Sequence, residues 1–127
     1  MQAPARPVPT YVTLGTLDPN ALAQTGPPPL AELPLDPVQA LSEPAIARFT
    51  GTHLDTLGLD AGDFGAISGP HATSFRWPAT GTGRRGALLR FALLEDVRHQ
   101  YPNGRNNPFG FAAAPEFWAF FRGQRLP

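Results

Sequence analysis

The sequence predicts an α/β fold with an incomplete sheet, and three observations predict it. An apolar, β-branched run over residues 8–15 is typical of a buried parallel strand. Apolar residues recur at three- and four-residue steps over about 43–57, as in an amphipathic helix. Two strand-like runs, at about 72–77 and 87–94, then precede an aromatic helix at about 115–122. About three strands with two helices leave more apolar surface than they can cover, so we expect part of a larger fold.

Composition limits the class of protein. The chain has 127 residues, enough for one domain, and its ten basic and ten acidic residues cancel, which favours neither nucleic acid nor an anionic membrane as a partner. The chain contains no cysteine, which excludes disulfides, thiolate metal sites and cysteine nucleophiles. No segment approaches the roughly 20 apolar residues of a membrane span, and residues 1–12 do not have the pattern of a signal peptide.

The first half of the chain is predicted to hold one strand and one helix. The strand and the turn after it occupy residues 8–20, where the sequence runs VPTYVTLGTLDPN. Residues 21–41 are expected to be a loop or flap, because a Gly-Pro-Pro-Pro run cannot hold regular structure. Ser42 is the expected N-cap of the helix over 43–57, and Gly58 its expected C-cap.

The second half is predicted to be a hairpin followed by a loop and a helix. The strands at 72–77 and 87–94 are expected to be antiparallel neighbours joined by a flexible connector at 80–86. Residues 95–113 form a loop that contains a histidine. The last helix is expected to begin near Pro115, because proline suits the first helical position.

Two polar residues follow predicted strands. Asp18 comes after the first strand, and His99 comes after the last one. In open α/β sheets, functional groups gather beyond the carboxyl ends of the strands. An aspartate that accepts a hydrogen bond from one imidazole nitrogen fixes the tautomer, so that the other nitrogen can move a proton. We therefore expect Asp18 and His99 to meet in the folded chain as an acid–base pair.

The residues around this pair resemble a known family. The stretch PTYVTLGTLDPN is similar to the late strand and acid turn of α/β-hydrolases of the polyhydroxybutyrate depolymerase and feruloyl-esterase type. The stretch LLEDVRHQYPNG resembles their final strand and histidine loop, and residues 114–122 resemble their last helix. The resemblance covers both ends of the chain, whereas residues 21–85 match poorly.

The resemblance implies the C-terminal portion of an α/β-hydrolase fold and a serine carboxylic-ester hydrolase. In that case Asp18 is the acid of the triad, His99 is the general base, and Tyr101 and Pro102 line the substrate pocket beside the base. Such an enzyme needs no metal and no organic cofactor. Its substrate is an ester, and short acyl esters, polyesters and feruloylated sugars all remain open.

The sequence departs from the family pattern at two places. Arg98 precedes the histidine where the family commonly has glycine. More importantly, the Gly-x-Ser-x-Gly nucleophile elbow is absent, and none of Ser42, Ser68 and Ser74 has its flanking glycines. We therefore expect Met1 to fall inside a longer hydrolase, whose N-terminal portion would supply the serine. The 127 residues alone are expected to be nearly inactive and prone to self-association.

Other interpretations of the titratable residues compete with this one. Asp60 and Asp63 are rival acids, His53 is expected to pack on the apolar face of its helix, and His71 is expected to be solvated. A zinc site built from the three histidines matches no ligand spacing.

Two interpretations of other segments also stay open. The Gly81–Arg85 stretch could bind phosphate, but it lacks the strand–loop–helix context and the lysine of a phosphate-binding loop. The competing functional class is a non-catalytic module that docks a partner chain through an exposed sheet edge and its aromatic helix.

Overall fold

The strands form one mixed sheet of four. The computed structural model describes residues 9–79 and 88–122. Within them the strands are β1 (Thr10–Gly15), β2 (Gly65–Ser68), β3 (Ala72–Trp77) and β4 (Leu89–Leu94). They lie in the order β1-β4-β3-β2, with β1 parallel to β4 and the other pairs antiparallel. The mixed α/β class and the β3–β4 pairing are as predicted, whereas β2 is a strand that was not predicted.

Four helices accompany the sheet in the described residues, two more than predicted. They are α1 (Pro19–Leu22), α2 (Pro37–Ser42), α3 (Pro44–Leu57) and α4 (Ala113–Arg122). The first three each begin at a proline that follows an acidic N-cap, whose carboxylate accepts from backbone N–H groups of the first turn. Residues 21–41 are therefore not one loop, because they include the end of α1 and nearly all of α2.

The start of α3 differs from the prediction. Ser42 is the last residue of α2, and its hydroxyl donates to the Val38 carbonyl. Glu43 caps α3 instead, because its carboxylate accepts from the Ala45 N–H at 3.3 Å. Gly58 ends the helix with a φ of 67°, in the left-handed region expected of a C-cap glycine.

The larger core lies between one face of the sheet and helices α2 and α3. Alternate residues of β3 and β4 point into it, because successive side chains of a strand face opposite sides. Phe75 and Phe91 stack there at 5.8 Å between ring centroids. The fully or nearly buried members are Leu33, Ala40, Ile46, Leu54, Phe75, Trp77, Leu89, Phe91 and Leu93.

The opposite face of the sheet carries α4. Tyr11 of β1 makes edge contacts with Phe117 and Phe120, at 4.8 and 5.4 Å between centroids. Ala92, Leu94 and Val97 form a smaller buried cluster beside them. The aromatic residues of α4 thus anchor the C-terminal helix on β1 and close one side of the sheet.

Among the described residues β1 is an edge strand of the sheet, and it is less buried than the buried parallel strand that was predicted. Five of its six residues are only partly buried. Thr10 and Thr16 donate their backbone N–H groups to β4 and its flanks, so in a parallel ladder the backbone groups of Tyr11 and Thr13 point outward. An edge of this kind can accept a further strand.

Two remaining predictions concern membranes and the connector. In the part of the chain that the structure describes, no helix is long and apolar enough to cross a membrane. The connector at 80–86 and the Gly81–Arg85 phosphate-binding alternative lie outside the described residues.

Candidate active site

The parallel pairing of β1 and β4 brings their following turns together. Gly15 is paired with Leu94, so the chain leaves both strands at the same edge of the sheet. Beyond that point the Leu17 N–H donates to the Val97 carbonyl at 3.0 Å. The Asp96 N–H donates to the Thr16 hydroxyl at 2.8 Å. These two bonds fix the turn before Asp18 against the loop before His99.

Gly15 makes this close approach possible. A Cβ atom at this position would lie 1.9 Å from the Val97 carbonyl oxygen, far inside van der Waals contact. Asp96, next to Val97, adopts a φ of 58°, a left-handed conformation that aspartate tolerates better than most residues. The glycine and the tight turn together let the loop after β4 fold back over the end of β1.

Asp18 is held in place by the helix that follows it. Its Oδ1 accepts from the N–H groups of Asn20 and Ala21, at 2.9 and 3.2 Å, as the N-cap of α1. Its side chain is only 6% exposed. The second oxygen, Oδ2, takes no part in these capping bonds.

His99 meets that second oxygen. Its Nδ1 lies 2.8 Å from Asp18 Oδ2, although 81 residues separate the two in sequence. A carboxylate can only accept a hydrogen bond, so Nδ1 carries the proton and Nε2 keeps its lone pair in the neutral ring. The ring is 69% exposed, and no described residue bonds to Nε2. The pair therefore presents a proton acceptor to solvent, oriented from behind by a buried acid.

Two clefts flank the His99 ring, and Leu14, Asp18 and Phe49 line both of them. The first, of about 330 Å³, extends along the end of β1 to Arg98, Gln100 and Tyr101. The second, of about 320 Å³, lies against α1 and α3 and includes Asn20 and Arg48. Both clefts combine an apolar wall with a few polar groups, as small-molecule sites do.

The two predicted pocket residues occupy different places. Tyr101 is 58% exposed and lines the first cleft. Pro102 is buried and lines neither cleft; its carbonyl accepts from the Ala113 N–H at 2.9 Å, so it supports the start of α4. Only Tyr101 of these two is therefore positioned to touch a molecule beside His99.

The rival acids lie elsewhere in the structure. Asp60 accepts from the Gly62 N–H within its own turn, and Asp63 accepts from the Ala79 N–H. Neither lines a cleft at His99. Within residues 9–79 and 88–122, no three His, Asp or Glu side chains are grouped so that they could hold a metal ion.

The other two histidines differ from each other. His53 packs edge-on against Phe49 at 5.5 Å between centroids, as expected for the apolar face of α3. His71 is not simply solvated as predicted. Its Nδ1 lies 3.2 Å from Glu95 Oε2, and its ring stacks on Phe109.

An acidic cluster of Glu32, Glu95 and Asp96 lies beside the site. Glu32 belongs to the segment between α1 and α2. Glu32 Oε2 accepts from the Thr16 hydroxyl at 3.2 Å, and the buried Leu33 next to it donates to the Thr16 carbonyl. Partial desolvation, followed by the hydrogen bond and charge of Asp96 and the charge of Glu95, raises the pKa of Glu32 above its usual 4.5, while the Thr16 hydroxyl opposes the rise. Because Glu32 is an exposed residue, solvent screens these charges and the effect on stability is small.

We expect Glu32→Gln to stabilise the protein increasingly as the pH rises. A raised pKa means that the folded state holds the proton more tightly than the unfolded state, so its contribution is present below about pH 4.5 and is lost as pH rises through the folded value. Glutamine cannot ionise, so the variant does not lose this stability as the pH rises. The difference in Tm between Glu32→Gln and the unaltered protein should grow from about pH 4 to about pH 7. Glu116→Gln on α4 is the control; an equal increase there would contradict the role of the cluster.

Sequence reasoning missed the residues that complete the clefts. Phe49, Arg48 and Leu14 reach His99 only through packing of α3 and β1, and nothing in their spacing marks them. Asn20 could have been found, because the Asp-Pro-Asn order is typical of a capped helix start. No family model, curated protein or solved structure matches this chain.

Proposed function

We propose that this chain is the C-terminal portion of an α/β-hydrolase and supplies the acid and base of a serine carboxylic-ester hydrolase, of the polyhydroxyalkanoate depolymerase or esterase type. The observation that carries the proposal is the contact between buried Asp18 and exposed His99, 2.8 Å apart at the carboxyl ends of two parallel strands. Its geometry fits an acid–base pair that serves a nucleophile.

The proposed reaction uses the free nitrogen of His99. Nε2 takes the proton of a serine hydroxyl as its oxygen attacks the ester carbonyl, and then returns that proton to the leaving alcohol. A water molecule, deprotonated by the same nitrogen, next attacks the acyl-enzyme, and the proton passes back to serine as the acid leaves. Throughout, Asp18 Oδ2 accepts from Nδ1 and stabilises the imidazolium that forms.

The serine comes from a polypeptide portion outside this chain. Ser42 bonds within α2, Ser68 ends the edge strand β2, and Ser74 lies on β3, so none of the three lines a cleft at His99. The edge of β1 that no strand within residues 9–79 and 88–122 pairs with supports a place for that portion, because Thr13 lies on this edge and also lines the first cleft. A strand added there would end close to the His99 ring.

The test is to extend the reading frame upstream of Met1 and compare the extended protein with the 127 residues alone. We expect the extended protein to hydrolyse p-nitrophenyl butyrate and to be labelled on serine by a fluorophosphonate. His99→Ala should lower its kcat about 10⁴- to 10⁶-fold. The 127 residues should give no serine adduct and no turnover above their own His99→Ala variant.

His53→Ala is the matched control, since it removes a histidine that lines neither cleft. It should leave kcat within about twofold in the extended protein. Efficient ester turnover by the 127 residues, lost on His99→Ala, would contradict the need for a second portion. Full activity of the extended protein without His99 would contradict the role of the base.

The second candidate function is a non-catalytic module that docks a partner chain. It is favoured by exposed apolar surface on α4, where Trp118 is 66% and Phe121 43% exposed, and by the open edge of β1. This alternative would be favoured if the reading frame upstream of Met1 encoded no nucleophilic serine and the 127 residues alone were stable. Serine labelling that depends on His99 would exclude it.

A further inference from the structure

The loop after His99 carries an arm, which we define as residues 103–111, that folds back on itself. Asn103 forms an isolated β-bridge with Ala112, and the Gly104 N–H donates to the Phe111 carbonyl at 2.7 Å. The side-chain amide of Asn107 bonds to both backbone groups of Phe111. These bonds make the arm a small self-contained unit within the loop.

The tip of the arm is held by His71. The rings of His71 and Phe109 are stacked at 3.7 Å between centroids and 8° between planes. On the same imidazole, Nδ1 lies 3.2 Å from Glu95 Oε2, and the Glu95 N–H donates to the His71 carbonyl at 2.9 Å. His71 therefore joins the arm to the end of β4 through a stacked ring, a side-chain hydrogen bond and a backbone hydrogen bond.

The arm in turn is bonded to the residues beside the base. The Gln100 side-chain amide donates to the Asn106 carbonyl, and the Asn106 side chain donates to the Tyr101 carbonyl at 2.9 Å. Gln100 and Tyr101 directly follow His99 and line the first cleft. A continuous set of contacts thus runs from His71 through the arm to the backbone next to His99.

We propose that His71 is a positioning residue for the acid–base pair. Stacked on Phe109 and paired with Glu95, it holds the arm so that Gln100 and Tyr101 keep the His99 ring against Asp18. The inference rests on the proposed function for its catalytic meaning, since the hydrolysis proposed above needs this geometry. The contact between His71 and the arm, from which the inference starts, does not depend on whether the chain belongs to a hydrolase.

The test measures hydrogen exchange in the 127-residue protein by NMR. Two sets of protons are followed: the His99 Nδ1 proton, and the backbone amide protons of Gln100, Tyr101 and residues 103–106. In His71→Ala we expect both to exchange about tenfold faster, as loss of an aromatic stack and a half-exposed hydrogen bond predicts. His71→Phe keeps a ring over Phe109 and should restore most of the protection. Phe109→Ala, which removes the other ring, should reproduce the effect of His71→Ala.

His53→Ala is the control for loss of a histidine, and Phe121→Ala for loss of a half-exposed aromatic ring; their ring contacts are with Phe49 and Phe120, both outside the arm. Unchanged exchange in His71→Ala, or the same acceleration in His53→Ala, would overturn the proposal. Equal losses in His71→Ala and His71→Phe would assign the effect to Glu95 alone and overturn the role of stacking. Because no ester is hydrolysed in this test, its result is independent of whether the hydrolase proposal holds.

Discussion

Gly15→Ala is expected to lower the free energy of unfolding by about 2–3 kcal/mol, since overpacking a closed contact with backbone costs this much. The new methyl group would meet the Val97 carbonyl oxygen at 1.9 Å, so the loop after β4 must move away from β1. That movement breaks the Leu17–Val97 bond, which aligns the two turns. Urea denaturation measures the loss of unfolding free energy. In the NMR spectrum, the signal of the His99 Nδ1 proton that is bonded to Asp18 should disappear.

Gly51→Ala is the matched control for this substitution. Gly51 lies in the middle of α3, and a Cβ there would meet no atom within 4 Å. Alanine costs less backbone entropy in a helix than glycine, so this variant should be about 0.5–1 kcal/mol more stable. Opposite signs at the two glycines would support the close approach, whereas stabilisation by Gly15→Ala would contradict it.

Asp18→Ala is expected to lower the free energy of unfolding by about 3 kcal/mol, because the substitution removes an N-cap and the charged acceptor of three hydrogen bonds. The lost acceptor serves the N–H groups of Asn20 and Ala21 as well as His99. Asp18→Asn keeps one carbonyl oxygen and should cost less. Urea denaturation of both variants measures the difference.

Asp36→Ala provides the comparison. Asp36 caps α2 through one bond to the Gln39 N–H, but it is exposed. Its loss should cost only about 1 kcal/mol, the usual value of a cap. If the two alanine variants were equally unstable, Asp18 would act as a helix cap alone, and its bond to His99 would contribute nothing to the fold.

The place of the candidate site could be predicted from the sequence, because it depends on a local pattern. Asp18 and His99 each follow an apolar run, and parallel strands end at the same edge of a sheet. The helix starts were also within reach. Each of Asp18-Pro19, Asp36-Pro37 and Glu43-Pro44 is an acidic cap followed by proline, yet the proline-rich stretch between the first two concealed α2.

Other features could not be predicted, because they depend on register and packing. β2 has only four residues, with Ile67 65% exposed, so it lacks the apolar alternation that marks a strand. The partial exposure of β1 follows from its place at the edge of the sheet. His71 reaches Glu95 because Ala72 of β3 is paired with Leu94 of β4. In this antiparallel register the next residues, His71 and Glu95, lie opposite each other.

The measurement that tests the central claim most directly is a ¹H–¹⁵N correlation spectrum of the His99 ring in the 127-residue protein at neutral pH. An oriented acid–base pair predicts that the uncharged form of the ring carries its proton on Nδ1, that this proton exchanges slowly, and that Nε2 is then unprotonated. Asp18→Asn should abolish this preference, because the amide can donate as well as accept. A proton on Nε2, or a ring whose signals are the same in Asp18→Asn, would contradict the claim that Asp18 orients His99 as a base.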